Sequence, residues 1–394
     1  MTFSRRILLL AALVPAFACS DDGGGADAGS TSGGTTGATP TPDPSTTSAT
    51  PSAVDSSTGG GVDSGSVDTS AGGVDSTSDG GSSSTGDDGE TTGTESGDST
   101  GEPAPPSGRL ELDTILDTNA VVATKGMDVD ADGNVFIWNY NQDNLERWDG
   151  ATLETIATGG IVTGFGTDLA VDSDGDVVVS RGGSATGETL IKWNGTTGAP
   201  MWGPTGITIP GALLLGLTHA TLDGTEYVFA CDGTAIGGSI HRLAKADGSL
   251  LGSLPVHDVP LDVAVDSDEN FYVLSSLSSN PVISGDPVQL RKYDALGAVV
   301  AGPVELVDAL YITLGANGVL YVSSTDFDAP TRSILSFSSD LDEYPITHLP
   351  VEYSGFAGGI ATMGTGDDLR ILVNGQEGVG SGPICDVLVY REPD

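Results

Sequence analysis

The chain has 394 residues, 14 basic against 55 acidic side chains for a net charge of −41, 58 glycines and only 3 cysteines. That charge argues against nucleic acid as a partner, since phosphate binding needs clustered Lys and Arg, and it disfavours docking on an anionic membrane surface. Three cysteines cannot build a disulfide scaffold or a cysteine-rich zinc site.

In chain order, Arg5 and Arg6 precede an apolar run from Ile7 to Phe17. A run of about a dozen residues suits a signal-peptide core and is too short to cross a hydrocarbon layer of about 30 Å as a helix. It closes on Ala16 and Ala18 before Cys19. Residues 1–18 with Cys19 resemble a bacterial lipoprotein signal. The resemblance implies cleavage before Cys19 and diacylation of its thiol. The two acyl chains would hold the protein in the lipid bilayer at the cell envelope, in the outer membrane, periplasm or at the cell surface.

From Ser20 to Ser107, 55 of 88 residues are Gly, Ser or Thr, 15 are acidic, and there is no Ile, Leu, Phe, Tyr, Trp, Lys or Arg. Such a segment cannot bury enough apolar surface to offset an ordering entropy of ~1–2 kcal/mol per residue. Residues 19–107 therefore read as a disordered, low-complexity stalk behind the anchor, with a span of roughly 50 Å by flexible-chain scaling.

Composition changes after Pro106, and one pattern then recurs six times: GMDVDADGNVFIWN from Gly126, DLAVDSDGDVVVSR from Asp168, THATLDGTEYVFAC from Thr218, DVAVDSDENFYVLS from Asp262, YITLGANGVLYVSS from Tyr311, and GIATMGTGDDLRILV from Gly359. The second-strand anchors Val135, Val177, Tyr227, Phe271, Leu320 and Leu369 are 42, 50, 44, 49 and 49 residues apart. That period, in short apolar runs separated by Gly/Asp turns, predicts an all-β, six-bladed β-propeller over 108–394. A lone four-stranded blade exposes two apolar faces, and only a ring of neighbours buries both. The last repeat runs out at Asp394 one strand short, while RLELDTILDT from Arg109 matches a fourth strand. The N-terminal strand is therefore expected to close the last blade and remove the open edge.

The turn and third-strand motifs of the first repeat, Asp132-Gly133-Asn134 and Arg147-Trp148-Asp149-Gly150, resemble the NHL repeat. Folds related to this resemblance include the gluconolactonase-like and streptogramin-lyase-like propellers. The resemblance implies a six-bladed fold and suggests ligand binding, and it transfers no active site.

Asp128, Asp130 and Asp132 precede Gly133 with the opening spacing of a calcium loop, but the twelfth position, where an EF-hand needs an acid, is Asn139. Calcium or another divalent cation is the one cofactor the sequence admits. Recurrence at Asp172 and Asp266 favours hairpin turns instead. Counting back from the anchors places Gly126, Asp168, Thr218, Asp262, Tyr311 and Ile360 at equivalent positions on the innermost strands, with His219 beside them. Asp168, Asp262 and His219 are thus the candidate catalytic group, able to hold a cation or poise a general base. The loops between second and third strands offer Trp138, Tyr140, Arg181, Phe327 and Arg332 as binding anchors, and the inner-strand Tyr311 is a sixth binding candidate. Trp148, Trp193, Tyr293 and Phe337 share one repeat position and read as packing between blades. Cys231 and Cys385 lie in opposite blades and read as separate thiols. There is no Gly-x-Ser-x-Gly elbow, HExxH, phosphate loop or dinucleotide fingerprint.

The expectation is a monomeric envelope lipoprotein whose propeller binds an unidentified protein, glycan or small molecule at its loop face. The alternative is a metal-assisted hydrolase or lyase acting in the central channel.

Overall fold

A computed structural model describes residues 110–120, 124–139, 144–158, 168–181, 188–234, 237–278, 286–326, 331–345, 347–348, 357–376 and 385–392. Cys19, the stalk, Tyr140 and Phe327 lie outside them, as do the side chains of Arg181, Arg332 and Cys385. The described residues form twenty-four strands in six four-stranded antiparallel sheets, with one short 3-10 turn at Gly366–Asp368.

Strand β1 (Glu111–Ala120) comes first but belongs to the last blade. Blade 1 contains β2 (Thr124–Val129), β3 (Val135–Asn139), β4 (Asn144–Trp148) and β5 (Leu153–Thr158). Blade 2 contains β6 (Leu169–Val171), β7 (Val177–Arg181), β8 (Glu188–Trp193) and β9 (Ile207–Ile209). Blade 3 contains β10 (Leu214–Leu222), β11 (Thr225–Asp232), β12 (Ser239–Ala244) and β13 (Leu250–Pro255). Blade 4 contains β14 (Val259–Val265), β15 (Phe271–Ser276), β16 (Val288–Tyr293) and β17 (Val299–Leu306). Blade 5 contains β18 (Ala309–Leu314), β19 (Leu320–Asp326), β20 (Thr331–Phe337) and β21 (Thr347–His348). Blade 6 contains β22 (Ala357–Met363), β23 (Arg370–Gln376) and β24 (Cys385–Arg391), and β1 is its fourth strand.

The inner strands β2, β6, β10, β14, β18 and β22 touch in that order, and β22 meets β2 to complete the ring. Closure comes from β1, which pairs antiparallel with β24 at Leu112↔Tyr390 and Leu116↔Val387. The edge that β24 would otherwise present is thereby paired, as the repeat count predicted.

The apolar clusters sit between blades rather than at the centre. Phe136, Trp138, Leu169, Val177 and Trp193 join blades 1 and 2, while Leu112's neighbour Leu116, with Met127, Val135, Leu372 and Val389, seals blade 6 to blade 1. Second strands are covered on both faces, so all five side chains of β3 are buried. Their apolar runs are unbroken for this reason. Outer strands such as β13 and β17 are largely exposed. Trp193, Tyr293 and Phe337 are buried as packing residues, and Trp148 packs partly buried against the blade 6–1 cluster.

The repeated aspartates close the hairpins. Asp130 Oδ1 accepts the amides of Asp132 and Asn134, Asp172 Oδ1 those of Asp174 and Asp176, and Asp266 Oδ1 those of Asp268 and Asn270. These are Asx turns, and they account for the acid in each repeat without a metal.

Candidate functional site at the inner strands

Asp168 pairs with Ser180, Asp262 with Leu274 and Tyr311 with Ser323, all one level of the ring. Blade 3 is offset from the sequence alignment. Its hairpin turns later, at Asp223–Gly224, because the β10–β11 ladder runs on past His219 to Leu222↔Thr225. Val228, not Tyr227, packs toward blade 2 as Val177 packs toward blade 1, and its inner-strand partner is His219. Three residues back from His219 is Gly216, so Gly216 and not Thr218 stands at the level of Asp168.

That shift exposes an alternation of Gly and Asp around the ring. A β-carbon on Gly126 would sit 2.6 Å from the Leu169 amide nitrogen and 2.9 Å from Asp168 Cα. One on Gly216 would sit 2.5 Å from Asp262 Cα. Both glycines let the next inner strand approach closely, where any side chain would collide with backbone.

Each neighbouring aspartate then reaches across to the following blade. Asp168 Oδ2 accepts the Leu217 amide at 2.8 Å, and Asp262 Oδ2 accepts that of Ile312 at 2.8 Å. Asp128 does the same from blade 1, taking the Val171 amide at 2.7 Å on Oδ2 and the Val129 amide at 2.9 Å on Oδ1. The second oxygen of Asp262 accepts the Val263 amide. Three carboxylates thus hydrogen-bond strands of adjacent blades that share no ladder with them.

Burial is the largest influence on these acids. It pushes Asp128 up to about 6, against the Val171 and Val129 amides. It pushes Asp168 up to about 7, against the Leu217 and Leu169 amides, with the Asp128 charge adding to the rise. Asp262 is raised well above the carboxylate range by burial and by the charge of Asp168. Burial and then these two acids also raise the Tyr311 phenol, and burial followed by Asp262 and Asp168 raises the Cys231 thiol. Asp128, Asp168, Asp262, Tyr311 and Cys231 therefore form one electrostatic group in which charge on the acids disfavours further ionisation, so its members hold their protons more tightly. Cys231 is a free, buried thiol on β11.

His219 is not part of that group. Its Nε2 lies 3.4 Å from Glu226, and it faces a charge cluster between blades 2 and 3 that includes Asp172, Lys192 and Lys245. Burial lowers its pKa, keeping the imidazole neutral. Asp172, Asp174 and Asp176 bring carboxylate oxygens within 4.8 Å of one another. Lysines already compensate them: Lys192 Nζ is 2.6 Å from Asp172 and 3.4 Å from Asp176, and Lys245 Nζ is 2.8 Å from Asp174. The calcium candidates Asp128, Asp130 and Asp132 do not converge either. Asp128 serves the ring, Asp130 gives Oδ1 to the turn and Oδ2 to the Asn134 side chain, and Asp132 is exposed.

Among the binding candidates, Trp138 is buried at 1% exposure and stacks on Trp193, with ring centroids 6.0 Å apart and planes at 16°. It is a packing residue, because β3 runs through it to Asn139 before the loop begins. Tyr311 lies with the inner-strand acids. Arg181 and Arg332 fall on β7 and β20 at the loop end. Sequence reasoning placed Gly126 on this level but missed Asp128, Gly216 and Cys231 as members of the inner group. Only the parity of Asp128 with Gly126 on one strand face signalled it.

No family model and no curated protein matches the sequence. Solved structures do match in fold. A PQQ-bound aldose sugar dehydrogenase from Streptomyces coelicolor is 15% identical, aligned over 73% of this chain and 99% of its own at a TM-score of 0.53. An inactive virginiamycin B lyase variant from Staphylococcus aureus with quinupristin is also 15% identical, over 73% of this chain and 100% of its own, at a TM-score of 0.46. At such identities the likeness is one of propeller architecture.

Proposed function

We propose that this protein is an exported lipoprotein, anchored through Cys19 and carried on an acidic stalk, whose propeller binds a ligand at its loop face. One observation supports binding over catalysis. The channel acids Asp168 and Asp262 give their oxygens to backbone amides of the next blade, and His219 is turned to Glu226 instead of to them. The inner acids thereby fasten the ring, which leaves ligand contact to the loops near Arg181 and Arg332. Glycan-array and pull-down screening of the full chain, repeated with Arg181→Ala and Arg332→Ala, tests this. Binding that survives both substitutions would move the site elsewhere. Mass-spectrometric detection of an acylated Cys19 tests the anchor.

The alternative, a metal-assisted hydrolase or lyase of the gluconolactonase or streptogramin-lyase type, keeps one supporting observation. Asp168 and Asp262 are both buried, and the charge of Asp168 raises the proton affinity of Asp262. Metal analysis of purified protein, with a lactone panel and Asp262→Ala, separates the two. A bound divalent ion with activity lost in the variant would favour the enzyme.

A further inference from the structure

The outer half of blade 3 holds a Ser–His–Asp chain of contacts remote in role from the inner acids. His241 on β12 and Ser253 on β13 are directly opposed cross-strand partners. His241 Nδ1 lies 2.8 Å from Ser253 Oγ, and His241 Nε2 lies 3.3 Å from Asp232 Oδ2 on β11. The imidazole is 8% exposed, while Ser253 sits on an exposed stretch of the outer strand.

Asp232 is held from the far side. Its Oδ1 accepts the Leu213 and Thr234 amides, both at 3.0 Å, and the Thr234 hydroxyl, leaving Oδ2 to the imidazole. Burial opposes its charge, yet the bonds from His241, Thr234 and these amides outweigh it and hold the acid at about 2. An ionised acceptor at Nε2 places the imidazole proton there and turns the Nδ1 lone pair toward the Ser253 hydroxyl.

We propose that Ser253, His241 and Asp232 form a serine-nucleophile acyl-transfer site on the rim of blade 3 that hydrolyses small neutral esters with an apolar acyl group. Ser253 Oγ bonds to the ester carbonyl carbon while its proton passes to His241 Nδ1. The tetrahedral adduct collapses with cleavage of the carbon–alkoxy bond, and the alcohol leaves with the proton from His241. Water then attacks the acyl-serine, giving its proton to His241, and Ser253 recovers that proton as the carboxylic acid departs. No oxidation or reduction occurs. Strand β13 is the outer strand of its sheet, with no strand paired beyond it among the described residues. Such an edge turns alternate backbone amides outward, the donor type that a developing oxyanion needs. Leu251, two residues before Ser253, is 55% exposed beside Leu250 at 53%, an apolar surface for the acyl group. A folded part bearing 12 basic and 40 acidic side chains disfavours anionic esters. Asp232 ends β11 beside the β11–β12 loop, but the site uses neither Arg181 nor Arg332 nor the inner acids, so it stands or falls apart from the binding proposal.

The test treats the purified full chain with a fluorophosphonate probe, maps the adduct by mass spectrometry, and measures p-nitrophenyl butyrate hydrolysis. The expected result is a single adduct on Ser253, with hydrolysis reduced about 100-fold or more in both Ser253→Ala and His241→Gln. Asp232 is a positioning residue. Asp232→Asn is expected to slow hydrolysis at least about 10-fold and to shift the His241 ring nitrogen-15 resonances away from the Nε2–H tautomer, which loss of packing alone would not do. Absence of an adduct on Ser253, or hydrolysis by Ser253→Ala at the wild-type rate, overturns the proposal. Ser253 is on the exposed strand, so its alanine variant retains the fold.

Discussion

Replacing Asp168 by Asn should remove the pH dependence of stability that this acid imposes. Its folded value is about 7 against an ordinary 3.8. The native state therefore binds more protons than the unfolded state between those values, and stability falls as pH rises through the window. The full loss for a shift of this size is on the order of 4 kcal/mol, with about 3 of it between pH 5 and 8. Asn imitates the protonated acid. It can still accept the Leu217 amide, but it carries no charge to desolvate, and it removes the charge that raises Asp262. The assay is urea unfolding of wild type and Asp168→Asn from pH 5 to 8. Surface repulsion in this acidic protein tilts both curves alike, so the readout is their difference. The variant should gain on wild type by about 3 kcal/mol as pH rises across that range. Added salt should barely change the gain, because a buried pair is poorly screened. Parallel curves at all pH values would refute the picture of an inner group that retains its protons.

Three further outcomes are expected. Gly216→Ala should cost several kcal/mol in urea unfolding, because the new β-carbon meets Asp262 Cα at 2.5 Å and backbone cannot yield cheaply. Lys192→Met should cost about 3–5 kcal/mol by leaving Asp172 and Asp176 buried without their cation, while millimolar calcium leaves the wild-type melting temperature unchanged; a calcium-dependent rise in melting temperature would return the aspartates to a metal role. Deletion of residues 109–120 should expose β24 and shift the protein to aggregates in size-exclusion chromatography, and a well-folded monomer would show that β1 is dispensable.

The blades were legible because a propeller repeats one local rule. Apolar second strands, Asx turns at Asp130, Asp172 and Asp266, and large aromatics at Trp193, Tyr293 and Phe337 each serve their own or the adjoining blade, so the pattern recurs in the chain. Closure by β1 was legible for the same reason, as one strand too many at the start and one too few at the end. The inner group was harder to read. A longer first hairpin displaced blade 3 from the count, which put His219 beside Asp168 in the alignment while the fold turns it to Glu226. Asp128 looked like a turn residue because Asp130 and Asp132 follow it, although its side chain serves the next blade.

The sequence by itself determined the fold class, the number of blades, the strand that closes the ring, and the division of charge between the Gly/Ser/Thr-rich segment 20–107 and the repeats that follow it. These depend on periodicity and composition, which are properties of neighbouring residues. Only the tertiary structure decided which acids share protons, that Gly126 and Gly216 make room for Asp168 and Asp262, and that Ser253, His241 and Asp232 meet on three adjacent strands. Those contacts depend on register and on burial between strands distant in the chain. A hairpin that turns a few residues later shifts which residues share a level of the ring while leaving composition and period almost untouched.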